Sequence, residues 1–167
     1  MSESGDTPIR VLVVNDEEPN LVMVGSVLRS QGYSVLVAKS GEEALSIATS
    51  GGPDVILLDV QMPDMDGYET ARSLISKEQT SSIPIVMVTG LTAPEERVRA
   101  LKAGAVDFLA KPVSSEELRA KVASLARLKG YNDEMRRRQA ETRKELASKG
   151  EQLQSALDAF ARFVPQV

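Results

Sequence analysis

The stretch Asp54-Val55-Ile56-Leu57-Leu58-Asp59, closed by Pro53 on one side and Pro63 on the other, admits few structures. An apolar run this short and this rich in branched side chains is too brief for a free-standing helix, and too uniformly apolar for a strand with one wet face. It predicts a strand buried on both sides, as in a parallel sheet covered by helices. Asp59 then stands at the carboxyl end of that strand, on the edge where open parallel sheets bind ligands. A strand-end Asp also serves as a helix cap, so its role depends on what else the chain brings to that edge.

The same grammar recurs along the chain. Ile9 to Val14 predicts a first strand, closed by Asn15-Asp16-Glu17-Glu18. A helix from Pro19 follows, with Leu21, Val24, Val27 and Leu28 at helical spacing and Gly32 as its stop. Tyr33 to Ala38 reads as a second strand, and Ser40-Gly41-Glu42-Glu43 has the form of a capping box opening a second helix. After the loop Met62 to Gly67, a short helix is expected over Tyr68 to Ser76, then a strand over Ile85 to Val88 ending at Thr89-Gly90. Thr92-Ala93-Pro94-Glu95 signals another helix, Asp107 to Ala110 a fifth strand, and Ser114 with Glu117 the start of a last helix. Five such units predict an α/β fold, a doubly wound parallel sheet with helices on both faces.

Right-handed crossovers place all five strand ends on one edge, which gathers Asn15, Asp16, Asp59, Thr89 and Lys111. Each has a plain alternative: Asp16 as a turn residue, Thr89 as a cap, Lys111 as a solvated strand end. Together they suit phosphoryl transfer to a carboxylate. Two close carboxylates repel, and a small hard cation such as Mg²⁺ relieves that repulsion while leaving a position for a phosphoryl oxygen. Asp59 is the candidate nucleophile, with Lys111 and the Thr89 hydroxyl stabilising charge on the phosphoryl oxygens. The chain contains no histidine and no cysteine, so imidazole or thiolate metal sites, disulfides and His-based triads are excluded, and any metal must be held by oxygen. A formal net charge of -4 argues against a nucleic-acid or anionic-membrane surface. No apolar run is long enough to span a membrane, and a cytoplasmic location is expected.

Val13-Val14-Asn15-Asp16-Glu17, Leu57-Leu58-Asp59-Val60-Gln61-Met62-Pro63-Asp64-Met65-Asp66-Gly67, Val88-Thr89-Gly90 and Phe108-Leu109-Ala110-Lys111-Pro112 carry a resemblance. In this combination and order they resemble the receiver domain of bacterial two-component response regulators, over about residues 8 to 128. The resemblance implies a flavodoxin-like sheet of order 2-1-3-4-5. It implies Asp59 as phospho-acceptor from a sensor histidine kinase or phosphotransfer protein, and Mg²⁺ on Asp16, Asp59 and the backbone carbonyl of Gln61. Thr89 and Lys111 would bind the phosphoryl group, Phe108 would be the switch aromatic, and the Lys111-Pro112 bond would be cis. Such a protein is a signalling phospho-acceptor, not an enzyme acting on other substrates. Where the family usually has a second acid beside Asp16, this chain has Asn15, which predicts weaker Mg²⁺ binding. Gln61 and Leu91 flank the expected path of an attacking water. The Asp64 to Gly67 segment lacks the remaining ligands of a calcium loop and reads as a turn.

Residues 1–7 are expected to be a disordered N-terminus and 129–167 a helical extension. Leu125, Asn132, Gln139, Leu146, Leu153 and Phe160 recur every seven residues, and Leu128, Met135, Thr142, Lys149, Ala156 and Phe163 form the companion series. They describe a coiled-coil seam with several polar core positions, and so a homodimer whose helix leads to an output domain or protein. Gly130 and Gly150 are its weak points. Arg136-Arg137-Arg138, with Glu134 and Glu141 nearby, reads as a solvated face and not a nucleic-acid patch. The end, Phe160 to Pro165, resembles linkers that precede output domains such as nucleotide cyclases. Two other classes stand beside the phosphorylation switch. One is a receiver-like scaffold that dimerises without phosphate. The other is a phosphohydrolase passing through an Asp59 intermediate, which would want an acid where Gln61 stands.

Overall fold

The computed structural model describes residues 7–90 and 93–163. Leu91, Thr92, the first six residues and the last four fall outside that range. So do the expectations placed on them: a disordered start, a Thr92 cap and the Val164-Pro165 end of the linker-like segment. The chain divides into two compact units, 1–127 and 128–167.

In the first unit five strands, β1 (Arg10–Val14), β2 (Ser34–Ala38), β3 (Val55–Asp59), β4 (Ile85–Thr89) and β5 (Asp107–Ala110), alternate with helices. The helices are α1 (Glu18–Ser30), α2 (Gly41–Thr49), α3 (Gly67–Ser76), α4 (Pro94–Lys102) and α5, whose range is Ser115–Ala161. All pairings are parallel and the order is β2-β1-β3-β4-β5. This is the expected doubly wound, flavodoxin-like sheet.

Side chains alternate across a strand, so each central strand feeds two cores. Leu12, Val14, Ile56, Leu58, Ile85 and Met87 face one side with Ala71 and Leu74 of α3. Val11, Val13, Leu57, Val86 and Leu109 face the other with Leu21, Val24 and Leu28 of α1 and Leu118 and Val122 of α5. Every residue of β3 is buried, as a two-faced core requires.

Local chemistry sets the element ends. Ser40 Oγ accepts the N–H of Glu43, while the Glu43 carboxylate accepts from Lys39 N, one residue earlier than in a reciprocal capping box. Two strands begin one residue later than the apolar runs suggest. Tyr33 is withheld from β2 because its N–H returns to Leu28 O, closing α1 around Gly32 at φ 89°. Ile9 likewise lies outside β1, although its carbonyl accepts from Ser34 N. Asp66 caps α3 by accepting from Glu69 N, and the Asp64 to Gly67 segment is a turn with Asp64 at φ 67°. Gly67 closes that turn with its N–H on Val60 O, and its backbone lies so close to β3 that a Cβ would come within 2.8 Å of Val60 Cα. Gly130 and Gly150 do not interrupt α5.

Candidate phosphoryl-acceptor site

Strand register brings the candidate residues to one edge. Asp59 pairs with Val88, Thr89 with Ala110, and the backbone continues past the strands with Val60 N on Val88 O and Lys111 N on Thr89 O, at 3.1 and 2.8 Å. The ends of β3, β4 and β5 are thus hydrogen-bonded to one another at the point where Asp59, Thr89 and Lys111 emerge. The Lys111-Pro112 peptide bond is cis.

Asp59 is 2% exposed, and a buried carboxylate needs compensation. Lys111 Nζ supplies it to both oxygens, at 3.0 and 2.9 Å, and the N–H of Gln61 donates to Oδ1 at 3.0 Å. Thr89 is 3% exposed. Asn15, also buried, accepts the N–H of Glu17 through Oδ1 at 2.9 Å, while its own N–H binds Ala38 O. Its carboxamide therefore holds the turn that presents Asp16. Asp16 is exposed and lines, with Gln61 and Asp66, an open cleft of about 520 Å³. Among the described residues no three carboxylates cluster as a metal cage. Leu91, expected beside this site, is outside the described range.

Phe108 is half-buried against the core on the α3 side, with the Arg97 guanidinium 4.7 Å from its ring centre and Lys121 Nζ at 5.0 Å. Lys121 also pairs with Asp107 and Glu117 at 3.2 Å. Sequence reasoning missed a second group. The Tyr68 hydroxyl donates to Glu96 at 2.5 Å, and Arg99 stacks over the Tyr68 ring at 4.1 Å, so the start of α3 is tied to α4 at the rim of the Asp16 cleft. The one available signal is the placement of Glu96 and Arg99 within one helical turn, close enough to engage a single aromatic side chain.

The chain matches the response regulator receiver domain family over residues 11–123. It belongs to that family. It is 42% identical over 135 residues to the response regulator PleD of Caulobacter vibrioides, covering 81% of this chain and 30% of PleD. It spans about half the length of several other curated relatives. Among solved structures, the chemotaxis protein CheY4 of Vibrio cholerae superposes with a TM-score of 0.68 at 34% identity, over 71% of this chain and 99% of that one. The receiver domain of the sensor histidine kinase PA1611 from Pseudomonas aeruginosa, solved with magnesium in its active-site cleft, gives 0.66 at 32% identity, over 74% and 99%.

Burial, the hydrogen bond to Glu96 and that residue's charge push the Tyr68 phenol up to about 12, against the opposing charge of Arg99. The folded value lies above the ordinary one near 10. The contribution of this phenol to stability is therefore complete below about pH 10 and is lost as pH rises towards 12. The difference in tyrosinate absorbance between wild type and Tyr68→Phe should titrate near pH 12. A difference that titrates near 10 would contradict the buried, Glu96-bonded geometry.

Proposed function

We propose that this receiver accepts a phosphoryl group on Asp59 from a partner histidine kinase or phosphotransfer protein in the cytoplasm. The observation that carries this reading is the buried Asp59 carboxylate held on both oxygens by Lys111. In the transfer the P–N bond of the donor phosphohistidine breaks, a P–O bond forms to Asp59, and the imidazole leaves with the electron pair. Lys111, already aimed at both oxygens, stays with the charge as it spreads onto the phosphoryl group, and the Thr89 hydroxyl donates to another of its oxygens. The oxygen donors fit a hard cation: Asp16, Asp59 and the Gln61 carbonyl would hold Mg²⁺, which supplies charge neutralisation at the phosphoryl oxygens. As Thr89 is drawn in, Phe108 turns inward and exchanges its Arg97 and Lys121 contacts for core packing. The protein is a signalling acceptor and not an enzyme acting on other substrates.

The receiver domain takes in residues 8–128, and the extension 129–167 carries the output. Every described residue from 130 to 163 is exposed, including Leu146, Leu153, Leu157 and Phe160. A helix with so many apolar residues in water supports a parallel homodimer along the heptad seam, with Asn132 paired to its twin. The segment lies in a unit of its own, and Leu146, Leu153 and Phe160 supply the apolar part of this seam, with Lys149 among its polar positions. Phosphorylation would be read as a change in how two receivers meet, passed along this helix to an output domain or protein.

Incubation with acetyl phosphate and Mg²⁺ should add one phosphoryl group by intact mass, absent without a divalent cation and absent in Asp59→Asn. Phosphate on another residue, or equal labelling of the variant, sinks the reading; a dimer that never labels leaves the phosphate-independent scaffold in its place. Asn15→Asp should preserve the Oδ1 acceptor for Glu17 and add a charge near the cation. The expected gain in Mg²⁺ affinity is about 1 kcal/mol, or roughly fivefold, and a titration showing equal or weaker binding counts against the ligand set. Light scattering of the full chain, and of a truncation at Leu128, tests the dimer; a full-length monomer at tens of micromolar, with or without a phosphoryl mimic, ends that part.

A further inference from the structure

Beside the ion pair lies a cavity of about 260 Å³ that none of the steps above uses. Met23 and Val24 of α1 form one wall, Leu57 and Leu109 of the sheet its floor, and Val113 and Leu118 the opposite wall. Its polar end carries Asn15, Asp59 and Lys111. An apolar cavity of about 150 Å³ stays dry and accommodates benzene. This one has room for a single aromatic ring with a short arm.

The charge at the polar end decides the arm. An ammonium has three donors, and Lys111 spends two on the Asp59 oxygens. The third can meet an acceptor. The Asp59–Lys111 pair sums to zero, so an anion entering here loses its hydration without a net attraction to replace it. A neutral carbonyl or hydroxyl loses far less.

The geometry points to a binding site for a compact, neutral aromatic molecule that places its ring among Val24, Val113 and Leu118 and its acceptor oxygen on Lys111. Occupancy holds Lys111 on unphosphorylated Asp59 and slows phosphoryl acceptance. That second consequence rests on the proposed role of Asp59, whereas binding itself does not.

Phenylacetamide, phenylacetate and acetamide separate the requirements for ring, head group and charge. In methyl-labelled full-length protein, phenylacetamide should shift the Val24, Val113 and Leu118 methyl resonances and give intermolecular NOEs from its ring to them, with a dissociation constant on the order of 1 mM. Phenylacetate should bind about tenfold more weakly, and acetamide should produce no shift. Val113→Phe, which fills the cavity from its loop side, should abolish binding while labelling by acetyl phosphate continues. For a variant that fails to fold, the wild-type NOEs decide the question alone. Saturating phenylacetamide should slow wild-type labelling several-fold and leave the Val113→Phe rate unchanged. No methyl shifts up to the solubility limit, NOEs confined to other residues, tighter binding of phenylacetate, or unchanged labelling at saturation would overturn the proposal. NOEs at the cavity in a protein that never labels would leave the site standing and remove the phospho-acceptor reading instead.

Discussion

A carboxylate at the end of a strand with no wet face is the constraint on which the rest of this receiver turns. β3 is buried along its whole length, and Asp59 is carried almost as deep as the leucines before it. Removing a carboxylate from water is costly unless charge and hydrogen bonds replace the lost hydration. Here the replacements come from Lys111, fifty-two residues away in sequence, and from the backbone of Gln61 two residues on. The register between β3, β4 and β5 is what lets Lys111 arrive, because each strand end is bonded to the next. Fold and site are thus one problem: the sheet must close in this order for the buried charge to be tolerated.

Much of this is legible in the residues themselves. The run from Val55 to Asp59 is uniformly apolar up to its last residue, so a two-faced strand and its polar end can be read directly. Ser40 announces a helix start because an N-cap is a local bond, satisfied within three residues, whereas Asp66 makes the same kind of bond in a stretch that reads only as a turn. The Tyr68–Glu96–Arg99 group is not legible in this way. It depends on the angle at which two helices face one another, and no spacing within α3 encodes where α4 will put its glutamate. The Arg97 and Lys121 positions around Phe108 are hidden for the same reason, since each is an ordinary charged residue on its own helix. Ile9 and Tyr33 mark a smaller gap: apolar patterning locates a strand, but hydrogen bonding decides which residue begins it.

Asn15 stands beside Asp16 at the end of β1, and its structural role is specific. The Oδ1 atom takes a backbone N–H that would otherwise lie unpaired next to a buried strand end. An aspartate can make the same bond, so shape alone does not explain the amide. What differs is charge at the mouth of the site. The amide keeps the turn, and with it the position of Asp16, while lowering the negative potential there by one unit.

The close approach of Gly67 to β3 has a meaning for heredity. Asp59 is constrained by charge and Gly67, eight positions later, by volume, since any other residue would place a carbon against the strand. Exchanging Asp59 for an amide keeps the shape of that side chain and removes its charge. A lineage that loses Gly67 must first rebuild the turn. The two positions therefore record different events: one a change of charge at the strand end, the other a change in whether the chain can hold its shape at all.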